Sequence, residues 1–211
     1  MKMMKNNIRI ANMPNILSFS RIIIAFIMFI VIPLGYLKTS LILFLIATAT
    51  DWFDGWCARK FNQVSQLGRN LDTFADKVIV CGTFIYLLAF PELLKITFPF
   101  SGSFNWGLAY WMVVLIVLRE LLITMLRSLV EGSGGDFSAK WIGKWKMALQ
   151  CVAIPACFVY LILLKSSNFA ALLLPVKIIL AGSLWITILL TVWSGVVYVR
   201  AASLLLGKSN D

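Results

Sequence analysis

Residues 39–76 read TSLILFLIATATDWFDGWCARKFNQVSQLGRNLDTFAD. An apolar run leads straight into Asp51 and Asp54, and Asp72 and Asp76 follow after a polar connection. These four make up nearly half of the 9 acidic residues in the chain. Carboxylates set against a hydrocarbon-rich run are costly unless something cationic neutralises them. The simplest neutraliser is one or two divalent ions, and ions held by carboxylates commonly serve phosphate chemistry.

The rest of the chain matches that setting. It has 211 residues, 61% of them hydrophobic, and a mean hydropathy of +0.91. Several apolar runs approach the roughly 20 residues needed to cross a bilayer. We expect an all-α membrane protein of six transmembrane helices, formed as a single domain over residues 1–211. A short amphipathic interfacial helix precedes them in residues 1–14, where Lys2, Lys5 and Arg9 interleave with Ile8, Ile10 and Met13. The expected spans are Asn15–Tyr36 (bent at its end by Pro33), Thr39–Phe61, Asn70–Phe90, Trp106–Val130, Ala139–Leu164 and Ala171–Leu205. The turn-rich stretch Pro91–Asn105 and the loop Gly132–Gly135 separate the later spans. No cleavable signal peptide is expected, because the first apolar run is long and lacks a small-residue cleavage site.

The net charge of +10 could suggest nucleic acid. Its distribution argues for an anionic lipid surface or phosphorylated substrates instead. Most cations, from Lys2 and Arg9 through Arg59, Arg119, Arg127 and Lys144 to Arg200, fall on one side of the expected spans. Only Lys38, Lys95, Lys165 and Lys177 fall on the other. The positive-inside rule then sets both termini and the aspartates at the cytoplasmic face. There is no histidine, which excludes imidazole catalysis and His-bound zinc, so a general base must in the first instance be a carboxylate. Cys57, Cys81, Cys151 and Cys157 form no Cys-x-x-Cys pair, and no disulfide is expected.

Asp51, Asp54 and Ala58 share one helical face, as do Asp72 and Asp76. Gly55 and Ala58 open room for a helix or ligand to approach, and Gly68 suits the turn between the two helices. Antiparallel packing would bring both carboxylate pairs to one end of the bundle. A blander reading pairs these acids with Arg59, Arg69 and Lys77. Adjacent bases are too few for pairing alone to explain the cluster.

The pattern D-x-x-D-G-x-x-A-R-x8-G-x-x-x-D-x-x-x-D runs intact from Asp51 to Asp76. It resembles the signature of the CDP-alcohol phosphatidyltransferase family, whose expected six-helix fold spans the whole chain. The resemblance implies that Asp51, Asp54, Asp72 and Asp76 bind Mg²⁺ or Mn²⁺, as two ions. It implies that Asp54, Gly55, Ala58, Arg59 and Gly68 lie along the CDP group and that Asp76 is the general base. It also implies an enzyme in the inner or plasma membrane of a bacterium, working as a homodimer on a CDP-activated lipid.

Three further segments resemble the branch of that family that uses glycerol 3-phosphate. They are Asn12–Arg21, Arg119-Glu120-Leu121 and Gly143–Gln150. Asp72-Thr73-Phe74 departs from that branch, which often has Asp-Pro-Leu, but it spares the carboxylates. The resemblance makes Arg119, Arg127 and Lys144 the binders of the acceptor phosphate, with CDP-diacylglycerol as the donor. The blander reading satisfies Arg119 through Glu120 and lets Lys140 and Lys146 snorkel to the surface. Another acceptor (phosphatidylglycerol, inositol phosphate or serine) keeps the same chemistry. A polyprenyl-diphosphate transferase also holds pyrophosphate on aspartates, though with other spacing and flanking residues, and a divalent-cation transporter would want carboxylates along a midplane path, whereas these four fall near one face. Trp106, Trp111, Trp141 and Trp193 read as interface anchors or packing. Gly182, Ser194 and Gly195 read as sites of close helix packing, which could be at a dimer contact.

Overall fold

The computed structural model describes the backbone of residues 13–61, 66–98, 103–132, 141–166 and 169–207. Side chains are described for residues 18–50, 71–98, 103–130, 145–166, 169, 171–201 and 203. Among the described residues every regular element is a helix. These are α1 (Met13–Val31), α2 (Leu37–Phe61), α3 (Gln66–Leu87), the single turn α4 (Pro91–Leu94), α5 (Tyr110–Gly132), α6 (Trp141–Leu164) and α7 (Ala170–Gly207). The interfacial segment expected in residues 1–14 lies almost wholly outside the described residues, as does most of the Gly132–Gly135 loop.

The six long helices fall close to the six expected spans, with three local differences. α1 stops at Val31, short of Tyr36. Pro33 lacks an amide hydrogen, and Gly35 takes φ +80, a left-handed conformation that turns the chain into α2. The Pro91–Asn105 break contains α4, which starts on a proline at its first turn. α5 begins at Tyr110 rather than Trp106, because Asn105 holds the preceding segment in an extended path. Its Oδ1 accepts the backbone amides of Ile96 and Gly107, each at 3.0 Å.

Burial along each helix follows the 3.6-residue period. On α1 the buried positions are Ser18, Arg21, Ala25, Met28 and Ile32, while Phe19, Phe26, Ile27 and Ile30 are exposed. On α2 the buried positions are Leu37, Ser40, Phe44 and Ala47; on α7, Leu180, Leu184, Thr187, Thr191, Ser194 and Tyr198. α1 packs on α2 and α3, α6 on α7 and α2, and α5 on α7 and α3. Phe44, Phe84, Leu108, Met112, Phe158 and Leu161 belong to the shared core. A smaller cluster of Ile123, Val130 and Tyr198 joins α5 to α7.

The outer faces are as apolar as the core, with exposed Ile42, Leu118, Met125, Leu172, Leu189 and Trp193. A soluble protein seldom presents so much contiguous apolar surface. Trp145–Leu164 and Ala171–Ala201 are long and apolar enough to cross a membrane, and Ser18–Val31 and Leu37–Thr50 are shorter apolar helices. Several helical hydroxyls are satisfied by the carbonyl one turn back, as suits hydrocarbon surroundings. Ser40 donates to the Tyr36 carbonyl at 3.0 Å, Thr83 to Ile79 at 2.6 Å and Thr124 to Glu120 at 2.7 Å.

Small residues set two close approaches. A Cβ at Gly82 of α3 would run into the ring of Phe29 on α1, whose face stacks on Tyr86 with centroids 5.0 Å apart. Ser194 and Gly195 face Arg119 of α5 within the same chain, whereas Gly182 looks onto open space. Trp106 packs edge-on with Phe98, Phe104 and Trp185, so it is a packing residue. Trp193 is 64% exposed on the apolar surface.

Candidate active site

α1 delivers Arg21 to the carboxylates of α3. Its guanidinium is fully buried, donating from Nη1 to Asp76 Oδ1 at 2.8 Å and from Nη2 to Asp72 Oδ1. Asp72 and Asp76 lie four apart on one face, so a single planar fork reaches both. Their side chains remain 41% and 25% exposed, open to a ligand from the outside. Arg21 stands 51 and 55 residues away in sequence. The blander sequence reading named Arg59, Arg69 and Lys77 as partners. In the structure Lys77 instead donates to Thr124 Oγ1 on α5. The side chains of Arg59 and Arg69 lie outside the described residues.

Asp51, Asp54, Gly55, Ala58 and Arg59 sit in the last turns of α2, and Gly68 in the first turn of α3. Only their backbone is described. α2 and α3 pack against each other and both against α1, so the two aspartate-bearing helices are neighbours. Among the described residues no three His, Cys, Asp or Glu side chains come together. The donor chemistry fits: one oxygen from each of Asp72 and Asp76 converges on a single cationic group, and hard carboxylate oxygens suit Mg²⁺ or Mn²⁺.

Beside Asp76 opens a cavity of about 300 Å³ between α3, α5, α6 and α7, and Lys77, Arg119, Arg127 and Lys146 line it. Arg119 is held from three directions. Its Nε donates to Ser194 Oγ at 3.2 Å, its Nη1 lies 3.3 Å from Glu120 Oε1, and its guanidinium sits over the Tyr198 ring at 5.7 Å. Glu120 thus partners Arg119, as the blander reading had it. Glu120 also pairs with Lys146, which is 3% exposed. Lys146 is therefore no snorkelling surface residue; α6 packs against α7 and α3 and carries it inward. Arg127 has a buried Nε that makes no hydrogen bond among the described residues. Lys144 lies in the first turn of α6, and its side chain, like Lys140 entirely, lies outside the described residues.

The charge balance of the cavity is positive. Four cations face Asp76 and Glu120, and Asp76 is already engaged by Arg21. Such a pocket favours a small dianion, with arginine forks suited to phosphate oxygens. A larger cavity, about 840 Å³, opens at the other end of the bundle between the α1–α2 turn and the start of α7. Lys38 and Lys165 line it, and none of its described lining residues is a carboxylate. Of the residues sequence reasoning missed, Arg21 is the most important. It ends the Asn12–Arg21 segment and is the lone cation within an apolar helix, a signal that could have marked it as a carboxylate partner.

A family model described as CDP-alcohol phosphatidyltransferase matches residues 11–198. The chain is similar to the CDP-diacylglycerol–glycerol-3-phosphate 3-phosphatidyltransferase of Bacillus subtilis (strain 168), at 34% identity over 164 residues, covering 78% of this chain and 72% of that protein. A protein of the same description from Haemophilus influenzae is 30% identical over 197 residues, covering 90% and 93%. The CDP-diacylglycerol–glycerol-3-phosphate 3-phosphatidyltransferase 2 of Arabidopsis thaliana is 32% identical over 166 residues, covering 75% and 64%.

Proposed function

The chain belongs to the CDP-alcohol phosphatidyltransferase family, and we propose that it transfers the phosphatidyl group of CDP-diacylglycerol to glycerol 3-phosphate, giving phosphatidylglycerophosphate and CMP. One observation carries the choice of acceptor. A partly exposed carboxylate, Asp76, borders a cavity lined by Arg119, Arg127 and Lys146. A base beside a dianion pocket suits an alcohol that bears its own phosphate.

In this reading Arg119, Arg127 and Lys144 hold the acceptor phosphate. Asp76 accepts the proton of the primary hydroxyl. That oxygen forms the new bond to the lipid-bearing phosphorus, and the bond from that phosphorus to the CMP oxygen breaks with its electron pair, releasing CMP. Arg21 keeps Asp72 and Asp76 side by side and limits their mutual repulsion. Asp51, Asp54, Asp72 and Asp76 would hold Mg²⁺ or Mn²⁺. When bound, those ions supply charge neutralisation for the pyrophosphate. Asp54, Gly55, Ala58, Arg59 and Gly68 would lie along the nucleotide.

We place the six long helices across the bilayer with the aspartates at the cytoplasmic face. The apolar outer surface supports this. So does the grouping of Lys38 and Lys165 at one cavity and of Lys177 beside Thr97, all remote from the aspartate end. The test is CMP release by purified protein given CDP-diacylglycerol and Mg²⁺, with glycerol 3-phosphate, inositol phosphate, serine or phosphatidylglycerol as acceptor. Release with glycerol 3-phosphate alone is expected. Release with a different acceptor would keep the aspartate chemistry and overturn the assignment of Arg119 and Arg127.

A further inference from the structure

One polar side chain in the cavity is used neither by the carboxylates nor by the cations. Gln150 is 3% exposed, and its Nε2 has no hydrogen-bond partner among the described residues. It lies one turn beyond Lys146 on α6, and both line the cavity that contains Asp76 and Arg119. Leaving a buried amide unpaired is costly, so such a group calls for a partner. Lys146 is engaged by Glu120, and Arg119 by Glu120 and Ser194, while Arg127, whose Nε makes no hydrogen bond among the described residues, carries a charge suited to phosphate. Gln150 is thus the neutral group here with hydrogen-bonding capacity to spare.

Its depth is also telling. α3 and α6 both enter from the aspartate end, so Val80 lies one turn deeper than Asp76 and Gln150 one turn deeper than Lys146. An apolar side chain and a carboxamide therefore both line the inner part of the cavity. With the acceptor phosphate on the arginines and its reacting hydroxyl at Asp76, the rest of the acceptor lies in the cavity that Gln150 also lines. A carboxamide can donate to and accept from a hydroxyl, and by turning about its last torsion it can offer either atom. It does so without adding charge to a phosphate pocket.

We propose that Gln150 is a specificity-determining residue whose carboxamide hydrogen-bonds the non-reacting hydroxyl of a phosphorylated polyol acceptor. The proposal rests on the acceptor reading given above. The probe is 3-hydroxypropyl phosphate, which keeps the phosphate and the reacting primary hydroxyl of glycerol 3-phosphate but lacks the middle one. Wild-type protein is expected to favour glycerol 3-phosphate by about tenfold or more in kcat/KM, as sites built to bind a hydroxyl do. In Gln150→Met, similar in volume but without the amide, the preference should fall to about threefold or less. The change should come from loss with glycerol 3-phosphate, not gain with the analogue. Gln150→Asn should retain part of the preference. Because the ratio is taken on one preparation, the folded fraction cancels.

Three results would overturn the proposal: no preference in wild type, an unchanged preference in Gln150→Met, or equal loss with both acceptors in Gln150→Met and Gln150→Asn. Wild-type protein that uses neither compound, yet releases CMP with another alcohol, would overturn the acceptor reading and this proposal with it.

Discussion

Replacing Arg21 with Met keeps most of the buried volume and removes the charge that Asp72 and Asp76 share. Removing one partner of a buried ion pair costs about 3–5 kcal/mol. Here the arginine is fully buried, but water reaches the two carboxylates, which are 41% and 25% exposed. The low end, about 3 kcal/mol, is therefore the better figure. At about 2–4 °C per kcal/mol for a chain of this size, Tm should fall by about 6–12 °C. The assay is thermal unfolding of purified protein, first with chelator and then with Mg²⁺. Chelator should expose the whole deficit, because nothing then offsets two adjacent carboxylates. Mg²⁺ should restore much of it, and so raise the Tm of the variant more than that of the wild type. A fall of less than about 2 °C in chelator would refute the buried-pair reasoning. Equal Mg²⁺ gains in both proteins would refute the view that Asp72 and Asp76 belong to a cation site.

Asp76→Asn should lower turnover by about a hundredfold or more, the usual worth of a general base, with nucleotide binding partly kept; normal turnover in a CMP-release assay would remove Asp76 as base. Arg119→Ala should raise KM for glycerol 3-phosphate about tenfold or more while changing that for CDP-diacylglycerol far less; equal effects would make Arg119 structural. Chelation of divalent ions should abolish CMP release, and Mg²⁺ or Mn²⁺ should restore it, whereas release that survives chelation would exclude a required metal. Gly82→Ala should destabilise by about 1–3 kcal/mol, because the new methyl meets the Phe29 ring, and an unchanged Tm would contradict the close α1–α3 approach.

The helices were legible in the sequence because each is a long apolar run closed by a proline, a glycine or a cluster of charges. The aspartates were legible because spacings of three and four place side chains on one face of any helix. Spacing within a helix does not reveal which neighbouring helix meets that face. Arg21 is the lone cation of an apolar helix, and which carboxylates it meets became visible only once α1 packed on α3. The same limit hid the Lys146–Glu120 pair, which joins α6 to α5. It also hid the position of Gln150, which reads as one more polar residue in a basic segment until α3, α5 and α7 close around it. The asparagine that shapes the approach to α5 was equally opaque, since Asn105 acts through backbone amides two and nine residues away.

The most direct test of phosphatidyl transfer uses glycerol 3-phosphate carrying a heavy oxygen isotope in its primary hydroxyl, incubated with CDP-diacylglycerol, Mg²⁺ and purified protein. Mass spectrometry of both products should find the label in phosphatidylglycerophosphate and none in CMP, because the acceptor oxygen itself forms the new bond to phosphorus. Label in CMP, or CMP released with no labelled lipid formed, would contradict direct transfer to this acceptor.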